Sequence, residues 1–167
     1  SEPISVWVAV CGSIPQGTSE NFLPELIALT HASGARIAID TSGPALALAL
    51  EAGADLLAPT VEELAEICPG FEATGGDSLE ALAPVIGDIA RRYPGALLVS
   101  AGKQGAVWTD GRQMVRSVPE AITPVNTVGA GDTLLASWLA HQEQTTAERL
   151  AGAVTDAAMT CLSTGTF

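Results

Sequence analysis

The chain has 167 residues, of which 47% are hydrophobic and 16% charged, and a formal net charge of −12. Such a composition belongs to a globular chain long enough to bury a core and excludes a disordered one. With only seven lysines and arginines there is no basic stripe, so neither a nucleic-acid partner nor docking on anionic lipid is expected. A phosphorylated small molecule stays admissible, because backbone N–H groups bind anions even inside an acidic protein. Pro, Gly, Asp or Glu interrupts every apolar run before it reaches membrane-span length. Cys11, Cys68 and Cys161 are too widely spaced for a disulfide framework or a zinc site, and a reducing, cytoplasmic setting is expected.

In chain order, Val6–Val10 is a β-branched run before Gly12-Ser13 and predicts a buried strand. A helix over Phe22–Ala32 is expected to stop at Gly34. Arg36–Asp40 predicts a second strand, and Thr41-Ser42-Gly43-Pro44 a turn into a helix over Ala45–Glu51. Asp55–Ala58 predicts a third strand, followed by a helix from Thr60 to about Ile67. Pro69–Asp77 is glycine-rich and predicts a surface loop. Leu79–Arg92 predicts a helix ending in cations, Ala96–Ser100 a fourth strand, and Gly105–Thr109 with Gln113–Ser117 a hairpin around Asp110-Gly111. Gly131–His141 and Ala147–Leu162 predict the closing helices. Strands alternating with helices imply one α/β domain over residues 1–167, with a mainly parallel sheet covered by helices on both faces. Ligands of such sheets sit beyond the carboxyl ends of the strands.

The motifs fall at those ends. Gly129-Ala130-Gly131-Asp132 opens a helix. Its glycines let backbone approach a ligand, its unpaired N–H groups and the helix dipole favour an anion, and Asp132 can accept a proton from an attacking hydroxyl. From these four residues alone the structural alternative is the better one, since Asp is favoured in first helical turns. No Walker A loop is present, and no GxGxxG follows a strand, which weighs against a dinucleotide-dependent oxidoreductase.

Four further motifs precede it in order: Cys11-Gly-Ser-Ile-Pro-Gln-Gly17, Asp40-Thr-Ser-Gly43, Ala58-Pro-Thr-Val-Glu-Glu63-Leu and Ser100-Ala-Gly-Lys-Gln-Gly105-Ala. Together with Asn126-Thr-Val-Gly-Ala-Gly-Asp132 the set resembles the ribokinase-like (PfkB-type) carbohydrate kinases, in the branch of 1-phosphofructokinase and tagatose-6-phosphate kinase. The resemblance implies ATP-dependent, Mg²⁺-assisted phosphorylation of a sugar phosphate, foremost fructose 1-phosphate to fructose 1,6-bisphosphate. It implies that Asp132 is the base and that Gly129, Ala130 and Gly131 hold the transferring phosphoryl group. Ser100, Gly102, Lys103, Gln104, Gly105 and Thr60 would line the ATP site, Ser13 would contact the sugar phosphate, and Asp40 and Glu63 would place Mg²⁺ through water. Each has a structural alternative. Thr60 and Glu63 spell a capping box, Asp40 and Ser13 are turn residues, and Lys103 suits a solvated loop.

Two departures stand out. The family's Lys-Pro-Asn reads Ala58-Pro59-Thr60, which removes a cation and an amide. The long N-terminal region that the family carries before this point, with sheet strands, a lid and most sugar-binding residues, is expected to be missing. This opens a second reading, a catalytically incomplete kinase portion that at most binds nucleotide, with an unpaired sheet edge inviting a homodimer.

Overall fold

The computed structural model describes residues 5–73 and 77–162. In chain order the elements are β1 (Trp7–Cys11), α1 (Phe22–Ala32), β2 (Arg36–Asp40), α2 (Gly43–Glu51), β3 (Leu56–Leu57), α3 (Val61–Ile67), α4 (Leu79–Ala90), β4 (Ala96–Ser100), β5 (Ala106–Thr109), β6 (Met114–Ser117), α5 (Ala130–Ala140) and α6 (Thr146–Thr160). A short 3-10 turn, Gly102–Gln104, joins β4 to β5. The six strands form one sheet in sequence order. β1 to β4 run parallel, β5 runs antiparallel to β4, and β6 runs antiparallel to β5.

Side-chain alternation along the central strands divides the core in two. Ile37, Ile39, Leu57, Leu97, Val99 and Val107 pack with α1–α4. Ala38, Leu56, Leu98 and Ala106 face the other way and pack with Leu134, Leu135 and Trp138 of α5 and with Leu150, Ala153 and Val154 of α6. The expected mainly parallel sheet with helices on both faces is therefore present. Its helices are segregated, as right-handed crossovers between successive neighbouring strands require: each such crossover returns over the same face.

Three expectations shift. β1 was expected to be a buried strand over Val6–Val10. It runs from Trp7 to Cys11, pairs with β2 alone among the described residues, and Val6 is 71% exposed. β-branched composition marks a strand without telling an edge from a centre. The third strand shortens to Leu56–Leu57, although Asp55 and Ala58 still donate their N–H groups to Ile37 and Ile39. The hairpin turn spans four residues. Asp110 Oδ1 accepts from Arg112 N and Gln113 N, so the aspartate side chain organises the turn. The expected 69–77 loop lies partly outside the described residues.

The capping box of α3 is formed. Glu63 N donates to Thr60 Oγ1 (3.2 Å), and Thr60 N donates to Glu63 Oε2 (2.8 Å). Thr60→Ala is expected to cost about 1 kcal/mol in urea unfolding, whereas Thr60→Asn, itself a good cap, is expected to be near neutral. Equal stability of Thr60→Ala and the parent would remove this structural role.

Candidate active site

β1, β2 and β4 deliver their carboxyl ends to one rim. Gly12 N donates to Asp40 O (2.9 Å), tying the loop after β1 to the end of β2. Cys11 and Asp40 are register partners. Ser100 N donates to Pro59 O (3.0 Å), and Thr60 and Ser100 form an isolated parallel bridge, which joins the loop after β3 to the end of β4.

α5 enters this rim with its amino end. Gly129 is its N-cap, in the left-handed region at φ 81°, with no side-chain cap. A Cβ there would meet nothing within 4 Å, so the space beside the turn is open. Ala130 N donates to Thr127 O and Thr133 N to Gly129 O. The intervening N–H groups of Gly131 and Asp132 have no carbonyl partner among the described residues, as expected for a first helical turn. A Cβ on Gly131 would stand 3.7 Å from Asp40 Oδ2, so the Asp40 carboxylate lies against this turn.

Asp40 is the electrostatic centre of the rim. Burial, then Glu63, then Asp132 raise its pKa from 3.8 to about 6. Burial, Asp40 and Asp132 push the Cys11 thiol up in the same way. Asp40, Glu63 and Asp132 therefore share one local field, although they are 23 and 69 residues apart in sequence, counted from 40 to 63 and from 63 to 132. Three carboxylates around a helix amino end invite a cation between them. Among the described residues no three Asp, Glu, His or Cys side chains converge into a metal cage. Mg²⁺ needs no cage: it keeps several waters and takes one or two carboxylates plus phosphate oxygens. Asp40 and the Glu63 oxygen not engaged with Thr60 fit that demand.

The pKa of Asp40 has a consequence for stability. The folded chain holds this proton more tightly than an unfolded one does, so the contribution of Asp40 to stability is full below about pH 4 and is lost as the pH rises through about 6. In metal-free buffer Asp40→Asn is expected to raise the urea midpoint relative to the parent at about pH 8 and not at about pH 4. A shift of equal size at both pH values would contradict the assignment.

The remaining expected residues divide. Ser13 and Lys103 are exposed on the rim. Lys103 forms no ion pair among the described residues. The side chain of Gln104 is used structurally: Nε2 donates to Asp77 O (2.7 Å), and Oε1 accepts from Leu79 N (3.3 Å), bracing the start of α4. Gly102 and Gly105 both have positive φ, at 52° and 90°. Gly105 is also pressed against β6, where a Cβ would fall 1.9 Å from Ser117 O. Ala58 packs against the α5–α6 core. Two neighbours escaped the sequence reading. Cys11 stands on the rim beside Asp40, and the buried hydroxyl of Thr41 has no partner among the described residues. Both lie inside quoted motifs, at positions whose side chains no motif rule assigns.

The model of the pfkB family carbohydrate kinases matches residues 7–167. The chain is 44% identical to a 1-phosphofructokinase of Rhodobacter capsulatus over 130 residues, 78% of this chain and 40% of that protein. It is 30% identical to the 1-phosphofructokinase of Vibrio cholerae over 163 residues, 95% of this chain and 50% of that one. Phosphofructokinase-2 from Escherichia coli in complex with fructose-6-phosphate superposes with a TM-score of 0.82 at 25% identity, covering 95% of this chain and 52% of that one. The chain spans about half the length or less of these relatives.

Proposed function

The chain belongs to the pfkB family of carbohydrate kinases, and from that premise we propose that it forms the phosphoryl-transfer half of an ATP-dependent hexose phosphate kinase. Fructose 1-phosphate is the favoured acceptor and fructose 1,6-bisphosphate the product. The observation that carries the reading is the meeting on one rim of Asp132, the Asp40–Glu63 pair, and the Gly131 and Asp132 amides, which have no carbonyl partner among the described residues.

In this reading Asp132 accepts the proton of the acceptor's C6 hydroxyl as that oxygen attacks. The amides of Gly131 and Asp132, with the positive end of α5 behind them, take up the charge of the transferring phosphoryl group. Gly129, Ala130 and Gly131 leave room for that group, because neither glycine carries a side chain into the turn. Asp40 and Glu63 would hold Mg²⁺ through its waters; ATP would supply the phosphoryl group, and the metal would shield its charge. Ser100, Gly102, Lys103 and Gly105 border the nucleotide, Gln104 and Thr60 hold the loops that carry it, and Ser13 meets the acceptor's phosphate. The exposed Val125 and Val128 lie just before the α5 turn and offer an apolar surface to the base. The cytoplasm, where the three free cysteines stay reduced, suits this work. Among the described residues no helix is long and apolar enough to cross a membrane.

The test is a panel of hexose monophosphates incubated with Mg·ATP and the polypeptide that carries this chain. Fructose 1-phosphate is expected to give the highest kcat/KM. A higher value for fructose 6-phosphate or tagatose 6-phosphate would move the acceptor.

One observation favours a second reading, a portion that binds nucleotide without turnover. Ala58, at the family's lysine position, is aliphatic and packed against the core, so it brings no charge to the phosphates. Calorimetry with Mg·ATP alongside the turnover assay separates the two: binding without product supports the second reading, and product formation rules it out.

A further inference from the structure

At the opposite ends of the strands, where β1 to β4 begin and β5 ends, lies a cavity of about 390 Å³. Trp7, Arg36, Trp108, Arg112, Trp138 and Arg149 line it. In a chain of net charge −12 with seven basic residues, three of the seven converge here. That is the reverse of what a random acidic surface would place together.

Two of the three cations are held in position. The Arg149 guanidinium lies 4.1 Å over the ring of Trp138 and donates from Nε to the Trp138 carbonyl, and Trp138 stacks on Trp108 at 5.5 Å. Arg36 lies 5.7 Å over Trp7. Such contacts fix a guanidinium and leave most of its donors free. Among the described residues none of the three arginines has a carboxylate within ion-pair distance. The two acids on the cavity wall are already engaged. Asp55 accepts from Ile37 N and pairs with His31, and Asp110 accepts from Arg112 N and Gln113 N. Two buried donors on the lining residues, Trp7 Nε1 and Arg149 Nη2, have no partner among the described residues. Burial also draws the Arg149 pKa down to about 10, against the opposing influence of Glu143. A buried guanidinium N–H and a buried indole N–H without acceptors are costly.

We propose that this cavity binds a small organic anion, a phosphate ester or a carboxylate, through Arg36, Arg112 and Arg149. The volume is that of a small-molecule site. A planar carboxylate or a phosphate matches the guanidinium fork. An occupant touches Trp138 and Arg149, and so meets α5 at the end opposite the Gly129–Asp132 turn.

The test uses inorganic phosphate, pyrophosphate and citrate, titrated in low-salt buffer into the polypeptide that carries this chain, followed by calorimetry and tryptophan fluorescence. A saturable change is expected for at least one probe, weakened about tenfold or more by Arg112→Ala and by Arg36→Ala. Preference for pyrophosphate over citrate assigns a phosphate ester, and the reverse assigns a carboxylate. Arg149 packs on Trp138, so Arg112→Ala, on the exposed hairpin turn, is the decisive variant. Binding at the Asp132 rim would survive both arginine replacements. Absence of a saturable signal, or binding unchanged in both arginine variants, overturns the proposal, including the case in which another part of the polypeptide already fills the cavity.

Discussion

Asp132→Asn is expected to lower hexose phosphate turnover about a thousandfold while leaving Mg·ATP affinity within about twofold, because asparagine keeps the shape of the side chain and loses only the proton acceptor. The expectation rests on position. Asp132 sits in the first turn of α5, beside amides that no carbonyl engages among the described residues, and acts on Asp40 across the rim. A carboxylate placed only to complement the helix dipole is worth a few tenths of a kcal/mol to about 1 kcal/mol of stability and nothing in catalysis. The two roles therefore differ in readout. Loss of kcat with unchanged unfolding marks the base, whereas a small loss of stability with unchanged kcat marks the dipole partner.

Gly105→Ala is expected to destabilise the fold by ~3 kcal/mol or more, measured as a fall in urea midpoint at unchanged slope. Two costs add at this residue: φ lies at 90°, and the new methyl would fall 1.9 Å from the carbonyl oxygen of Ser117 and 2.8 Å from Val118 Cα, backbone atoms that cannot swing aside. Gly102→Ala separates the two. Its φ is also positive, at 52°, but a Cβ there meets nothing within 4 Å. It is expected to cost only ~1 kcal/mol, the conformational part. If Gly102→Ala proved the more damaging to folding, the packing account of Gly105 would fail. If it spared folding and weakened Mg·ATP binding, that would place the nucleotide over Gly102.

The sequence makes local elements legible wherever period and punctuation agree. Phe22–Ala32 with its glycine stop, Arg36–Asp40 and Ala96–Ser100 stand in the structure with the expected bounds. The capping box at Thr60 is also legible, since its two partners are three residues apart. What depends on neighbours in space is not. Among the described residues β1 pairs with β2 alone, which follows from which strands flank it, and Val6, Trp7, Val8 and Val10 read the same at an edge or in a centre. The turn at Asp110-Gly111 was visible as a turn, but its four-residue form depends on an aspartate oxygen reaching two backbone amides. At the rim, the strand-end motifs place Asp40, Glu63 and Asp132 in order along the chain. Their mutual electrostatic influence appears only when β2, α3 and α5 meet. The arginine-lined cavity is the extreme case. Its residues lie in β1, β2, α5, α6 and the hairpin, and each alone is an ordinary surface cation or core aromatic.

The most direct test of the central claim is phosphorus NMR of fructose 1-phosphate and Mg·ATP incubated with the polypeptide that carries this chain, with Asp132→Asn as the control. The account predicts fructose 1,6-bisphosphate and ADP appearing one for one, and no product above background in the control. ATP bound but unconsumed, or equal product from both proteins, would contradict it.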